Sequence, residues 1–454
     1  MAPRALRGCI LLAATLLPAT ALAAGFAIQE QSGRALGTAF VGEAAAAEDA
    51  STIWFNPAGL TRLDGTQLVF GGHLISPHVH FDDDRAHLSP AVGSGLLRGD
   101  DGGDGGALAV VPSGYVAHQL SDRWRVGLGV NVPFGLRTNY DRSWVGRYHA
   151  ILSELKTVDV SPTLAVKLLD GLSFGAGADV QYAHAQLTNA LDTGSICLEN
   201  AARLGVPPAV CPALGLTPQA HDGFVRITGD SWAAGYNAGL LWEPSSGTRF
   251  GLSYRSRIDH TLEGTAEFVV PKKAAILRRT SGALRDTNGR ADLNLPDSIR
   301  FDVFHRLTNR WSAQAGVQWT HWDRFQELRF QFDNPKQPTV VDPQRWSNSF
   351  RWGVATQYRP ARAWILRLGF AYDYTPVPDT AHRTPRIPDS DRVWLSSGIG
   401  FQLSPRVVVD AGYAHVFAPG VETRNADPVT GHVLRGDFSG EANVFGGQLT
   451  CFFR

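Results

Sequence analysis

The side chains that could do chemistry are few, and they are scattered along the chain. Asp82-Asp83-Asp84 is a run of three carboxylates. Such a run binds Ca²⁺ weakly or simply forms a solvated loop, and the loop is the commoner outcome. His73, His78 and His80 lack the spacing of a metal cage. Gly102-Gly103-Asp104-Gly105-Gly106 is glycine-rich, but no helical pattern follows that could present backbone N–H groups to a phosphate. Arg147, within Trp144-Val145-Gly146-Arg147-Tyr148, could fork onto both oxygens of a carboxylate or make a loop ion pair. Neither an HExxH nor a Walker pattern occurs. The sequence therefore points to no catalytic constellation, no metal and no cofactor.

Bulk properties narrow the class further. The 454 residues carry 42 basic and 42 acidic side chains, which leaves no basic surplus for a nucleic-acid partner. Glycine is abundant at 48, and there are only 4 cysteines, as in an exported protein without a disulfide framework. Cys197 and Cys211 share one segment, 190–223, and spacing alone leaves a disulfide and two thiols equally open. Residues 1–23 have the features of a cleavable secretory signal. Arg4 and Arg7 precede an apolar run from Cys9 to Leu17, and Ala21-Leu22-Ala23 is a small-x-small cleavage site. That run is shorter than the ~18 residues a spanning helix requires.

Most of the remaining chain alternates with period two. Trp124, Val126, Leu128, Val130, Val132 and Phe134 share one face, while Arg125, Gly127, Gly129 and Asn131 share the other. Trp364, Leu366, Leu368 and Phe370 likewise oppose Arg367, Gly369 and Ala371. The pattern predicts fourteen strands, near 66–81, 106–120, 122–136, 153–169, 171–189, 224–243, 247–269, 291–308, 310–333, 346–359, 362–375, 390–403, 406–418 and 437–453. Connections alternate between short turns, such as Asp170-Gly171, and long loops, such as 190–223 and 419–436. An even number of long strands joined this way predicts an all-β fold, a transmembrane antiparallel β-barrel. Closure is required because an open sheet edge in hydrocarbon would leave backbone groups unpaired. A pair of soluble β-sandwiches would not produce the two-length alternation.

Residues 24–65 precede the strands and contain much Ala and Gly but little apolar bulk. They cannot build a core alone, so the expectation is a plug enclosed by the barrel of residues 66–454. In the third strand, Pro133 removes a ladder donor and Gly135 weakens the strand, so pairing either breaks inside the wall or simply ends at a loop.

Taken together, these motifs resemble the FadL-type family of outer-membrane transporters for long-chain fatty acids and other hydrophobic compounds. The matching residues are Ala24-Gly25-Phe26, Gly37, Gly42-Glu43-Ala44, Asp49-Ala50-Ser51 and Asn56-Pro57-Ala58. They continue through Pro133-Phe134-Gly135-Leu136, Gly146-Arg147-Tyr148, Leu295-Pro296, Pro385 to Asp389, and Asp391-Arg392. The resemblance implies a fourteen-stranded barrel stoppered by an N-terminal hatch, and passive uptake without catalysis. A ligand would be captured at the outer loops, the hatch would move, and the ligand would leave sideways near the third strand. By position, Phe26 and Phe134 are expected as apolar ligand contacts and Arg147 as a head-group anchor. Asn56, Pro57 and Ala58 would form the structural turn of the hatch.

The expected partners are a long-chain fatty acid or similar hydrophobic molecule, outer-membrane lipid and lipopolysaccharide, and the barrel assembly machinery, with the protein a monomer. Such barrels end in an aromatic residue, whereas this chain ends Phe452-Phe453-Arg454. The extra Arg either is tolerated or slows assembly. A phospholipase-like outer-membrane enzyme and a water-filled general porin are the alternatives. The first lacks a Ser/His motif, and an enclosed hatch argues against the second.

Overall fold

The computed structural model describes residues 25–201 and 207–453. The signal expected over 1–23 and the terminal Arg454 lie outside the described residues. Fourteen antiparallel strands close into a barrel. They are β1 (Thr66–Asp83), β2 (Ala109–Gln119), β3 (Trp124–Asn131 and Gly135–Asn139), β4 (Leu152–Leu169), β5 (Leu172–Asp192), β6 (Asp222–Ser245) and β7 (Thr248–Arg255 and Ile258–Val269). The second half is β8 (Thr287–Leu295 and Ser298–Arg306), β9 (Trp311–Thr320 and Glu327–Phe332), β10 (Val340–Pro343 and Ser349–Tyr358), β11 (Trp364–Asp373), β12 (Arg392–Ser404), β13 (Val407–Ala426) and β14 (Val433–Phe453). β1 pairs with β14 from Thr66↔Phe453 to Asp83↔Gly436, and this seam closes the cylinder.

The wall is inside-out relative to a soluble protein. Trp124, Leu128 and Val130 are exposed on the outside, while Arg125 and Asn131 of the same strand are buried in the bore. Leu368 is 60% exposed and Arg367 only 3%. In water such a surface would be unstable, but in hydrocarbon it is the favourable arrangement. Aromatic pairs ring the short-turn end, among them Trp311 on Tyr358 at 4.4 Å and Trp364 on Phe401 at 4.4 Å. These are the amphipathic side chains expected at a membrane interface.

One expected loop is much shorter than the sequence suggests. Residues 419–436 are largely strand, because Val421–Ala426 pair with Phe438–Val433 and leave only 427–432 as the turn. A bulge between Ala418 and Val421 absorbs Pro419-Gly420, the residues that suggested a loop. In the loop between β5 and β6, Cys197 and Cys211 form a disulfide with a Cα–Cα distance of 6.0 Å.

Residues 25–65 fill the bore. Three one-turn helices, α1 (Gly33–Leu36), α2 (Glu43–Ala46) and α3 (Thr52–Phe55), lead to a 3₁₀ turn at Pro57–Arg62. The small residues on the inner face of the wall are its seat. A Cβ on Gly251 would lie 2.0 Å from the Ala44 carbonyl oxygen, and one on Gly369 would lie 2.2 Å from the Thr38 carbonyl carbon. One on Gly175 would meet Pro57 at 2.4 Å. Between these contacts, wall arginines donate to plug carbonyls: Arg125 to Leu63, Arg249 to Ala45, Arg255 to Trp54, Arg300 to Phe40 and Arg351 to Ala39. Ala39 and Phe40 have φ of 51° and 58°, a costly conformation for residues with a side chain. The two arginines hold these carbonyls in place.

The Asn56-Pro57-Ala58 motif now has a physical account. Asn56 Oδ1 accepts from the Ala58 N–H at 3.1 Å, capping the 3₁₀ turn, and Pro57 fills the first position, where no N–H is needed. Asn56 Nδ2 donates to Ala44 O at 2.7 Å and to Leu240 O of β6 at 2.9 Å, tying the turn to the plug and the wall.

Replacing Gly251 by Val should unseat α2 without opening the barrel. The expected outcome is steady ion conductance in planar bilayers, where the parent protein is closed, with heat-modifiable migration retained. A closed Gly251→Val channel would show that the plug tolerates the added bulk.

Candidate functional site

The first described residues of the plug run along the interruption in β3. Gly135 N–H donates to Phe26 O at 2.9 Å, and Ile28 N–H donates to Pro133 O at 2.8 Å. Gln31 completes the repair. Its Nε2 donates to Val132 O at 2.7 Å, and its Oε1 accepts from Val132 N–H at 3.2 Å. The break has a clear consequence for the wall. β2 pairs with β3 only over Gly114–Gln119 against Val130–Arg125. Above this, among the described residues, Ala109–Ser113 pair with β1 alone, until Asn139 N–H bonds Gly105 O at 3.0 Å. Phe26-Ala27-Ile28 therefore stand behind a lateral gap. Pro133 and Gly135 flank it, and a Cβ on Gly135 would be 2.7 Å from Ile28 Cδ1.

Phe26 is 1% exposed and sits in an aromatic box. Its ring centroid is 4.8 Å from Trp322, 5.3 Å from Phe325, 5.6 Å from Trp346 and 6.0 Å from Phe134. Such tilted and edge-to-face pairs add to the burial energy. The box is pinned from the loop after β11, where Asp389 Oδ2 accepts the Gly25 N–H at 3.0 Å.

Phe26 also bounds an apolar chamber. Its walls include Leu136, Leu155, Leu187, Leu262, Leu293 and Phe325. Here the inner face of successive strands changes from small polar residues to leucine. A wider chamber of about 2160 Å³ adjoins it on the long-loop side, lined by residues including Leu191, Val225, Phe268, Leu277 and Lys336. The two share Leu187, Ile227, Phe330, Phe332 and Arg386. An apolar path thus runs from the outer loops to Phe26.

Arg386 is the cation at that junction. Its guanidinium makes two long contacts, with Ser153 Oγ and Asn189 Oδ1, both at 3.3 Å. Among the described residues no carboxylate lies within ion-pair distance of it. Arg147 is placed differently. It bonds Asp222 Oδ2 at 2.8 Å, Tyr148 Oη at 2.7 Å and the Arg98 carbonyl, and it lines neither chamber. Phe134 lies behind Phe26, in a smaller mixed cavity with Ile28, Pro57 and Arg300. The loop position of Arg147 drew attention in the sequence, whereas Arg386 was visible only as part of Pro385-Arg386-Ile387-Pro388-Asp389. A sequence signal for the chamber exists too: Leu155 and Leu262 share a face with Thr157 and His260.

The asymmetric arrangement, an oily chamber above a stopper in a lipid-embedded barrel, defines a gated outer-membrane conduit. The family model described as "Outer membrane protein transport protein (OMPP1/FadL/TodX)" matches residues 14–453, and the chain belongs to that family. It is 27% identical to a long-chain fatty acid transport protein of Escherichia coli, with 98% of each chain covered. The crystal structure of a Pseudomonas aeruginosa FadL homologue superposes with a TM-score of 0.84 at 25% identity, over 95% of this chain and 100% of that one. A Pseudomonas putida toluene transporter, TodX, is alike in fold, with a TM-score of 0.66 at 17% identity over 95% and 100% of the two chains. The family's members are transport proteins of the outer membrane, not enzymes, and this chain is one of them.

Glu30 lies between Ile28 and Gln31, wholly buried, with neither carboxylate oxygen hydrogen-bonded among the described residues. Burial pushes its pKa from 4.5 up to about 7, only partly opposed by backbone N–H groups and by Arg351 and Arg392. The seated plug thus holds this proton more tightly than an unfolded chain does. Seating should be firmest below pH 4.5 and should weaken as pH rises to about 7, by an amount of order 3 kcal/mol. Hydrogen exchange of plug amides across that range should show the decline, and Glu30→Gln should flatten it. An equally steep profile in the variant would assign the effect to another group.

Proposed function

We propose that the protein takes up long-chain fatty acids by passive diffusion through the two chambers, displacement of Phe26-Ala27-Ile28, and lateral release through the gap in β3. The observation that carries this reading is Arg386 at the rim of a leucine-lined chamber, with Asp342 and Asp427 nearby but, among the described residues, no carboxylate within ion-pair distance. An aromatic hydrocarbon would use the chamber but leave that charge unanswered. A fatty-acid carboxylate answers it with charge-assisted hydrogen bonds. The relative named as a long-chain fatty acid transport protein supports the same cargo.

Energetics favour such a route. Exposing a tail to water costs ~0.8 kcal/mol per CH₂, and an apolar path from loops to bilayer avoids most of that. The plug segment that bounds the chamber is also the one behind the gap. A ligand that displaces Phe26 therefore opens its own exit. In this reading Phe26 is the apolar contact and Phe134 backs it, while Arg147 braces the outer loops. Asn56, Pro57 and Ala58 anchor the part of the hatch that stays still. Residues 24–65 act as the hatch and 66–454 as the barrel, after removal of a signal at 1–23. The protein works as a monomer among phospholipid and lipopolysaccharide, where the assembly machinery delivers it.

Arg386→Ala should weaken oleate binding to the purified protein roughly ten- to a hundredfold, the loss of a charged hydrogen-bond donor worth ~1.5–3 kcal/mol. Oleyl alcohol, which has the tail without the charge, should bind about as before. Arg147→Ala should alter neither affinity. Unchanged oleate binding in Arg386→Ala would remove the carboxylate from this site.

A further inference from the structure

A second large cavity lies on the other side of the plug. It opens among the short turns, the periplasmic end of such a barrel, and holds about 1910 Å³ of empty space between α2 and the turn residues. It shares no lining residue with the apolar chamber. Its walls are cationic. Arg249, Arg306, Arg310 and Arg362 all line it, and among the described residues none has a carboxylate within ion-pair distance. Arg249 is 3% exposed, held over the Phe304 ring at 3.8 Å and donating to Ala45 O at 2.8 Å. Two further wall cations keep a buried N–H in reserve: Arg62 Nε and Arg367 Nε have no acceptor among the described residues.

The acidic groups of the cavity do not offset this charge. Glu48 and Asp49 are engaged by Arg34 at 2.9 Å each, Glu48 also by Arg359 at 3.6 Å, and Asp410 by Arg367 at 2.7 Å, while Asp64, largely exposed at the rim, faces Arg125 at 3.8 Å. Like charges gathered in a concave site repel one another, and they raise the local concentration of anions. Arg306, Arg310 and Arg362 are exposed and only Arg249 is buried, so an anion entering the cavity meets guanidinium groups whose N–H donors can turn toward it.

We propose that this periplasmic vestibule is an anion-binding site, taking a carboxylate or phosphate group from the periplasmic side. It lies beneath α2 and is independent of the cargo assigned to the upper chamber. A phosphate would come from a phospholipid head group of the inner leaflet, and a carboxylate from a released acid or a small periplasmic solute.

The test is calorimetric titration of the full-length protein in maltoside micelles at low salt, where no lipid phosphate competes. The probes are inorganic phosphate and succinate, neither of which has a tail for the upper chamber. Binding of either probe is expected: phosphate alone assigns the site to phosphate groups, succinate alone to carboxylates, and both to either anion. The charge reversal R306E/R310E/R362E should weaken it at least about tenfold, and Arg386→Ala should leave it intact. Should the reversal fold poorly by heat-modifiable migration, R306Q/R310Q/R362Q should give an intermediate loss. The proposal is overturned if neither probe binds, or if the variants of the turn arginines bind as the parent does. It is equally overturned if the binding disappears in Arg386→Ala, since the anion would then occupy the upper chamber. Failure here leaves the oleate experiment untouched, and failure there leaves this one untouched.

Discussion

Every backbone N–H and C=O at membrane depth must find a partner within the protein, because hydrocarbon offers none. The rest of the architecture follows from that constraint. It closes β1 on β14, and it makes the interruption of β3 at Pro133 conspicuous. A proline cannot donate to a neighbouring strand, so the ladder there needs another source of hydrogen bonds. The plug supplies it: Phe26 O accepts from Gly135 N–H, Ile28 N–H donates to Pro133 O, and Gln31 serves both polar groups of Val132. The defect in the wall and the stopper in the bore are therefore one structural problem with one solution.

The same logic explains the bore. A segment rich in Ala and Gly buries too little apolar surface to hold itself together, so its order comes from its surroundings. Glycines on the inner wall let the backbones approach closely, and arginines reach between them to plug carbonyls. Within the plug, Arg34 binds Glu48 and Asp49 and also contacts Glu43, knotting α1 to α2. Gln448 of β14 ties that knot to the wall through Asp49 and Ser32. By contrast, the first residues of the plug carry no ion pair among the described residues and are held by an aromatic box, by backbone bonds and by side-chain bonds from Asp389, Gln31, Tyr115 and Arg300, while Glu30 has no hydrogen-bond partner among the described residues. The plug is thus firmly held around α1 and α2 and lightly held beside the gap, which is where transport requires movement.

Much of the fold was legible because period-two alternation is a direct imprint of a two-faced wall. Strand number and most of the long and short connections follow from it. The extension of β13 past Pro419-Gly420 was not legible, because a bulge can carry turn residues within a continuing ladder. The site was less visible. Phe26 stood out through its place in a motif. Arg386 did not, because its significance is that, among the described residues, Asp342 and Asp427 lie near it but beyond ion-pair distance, which only the fold reveals. Arg147 suggested an anchor for the opposite reason, since nothing in the sequence shows Asp222 folding back onto it. The Cys197–Cys211 pairing likewise waited on the geometry of the loop.

The contacts between plug and seam also bear on the order of events in biogenesis. A Cβ on Gly33 would lie 2.4 Å from the Gly447 carbonyl oxygen of β14, and one on Gly37 would lie 2.8 Å from Gly398 Cα of β12. The final strands are thus shaped to a surface that the N-terminal segment provides. A cylinder sealed beforehand would have to admit that segment through its own mouth and thread it beneath the wall arginines. The simpler chronology has the N-terminal segment enclosed while the sheet is still open, becoming ordered as the last hairpin closes around it.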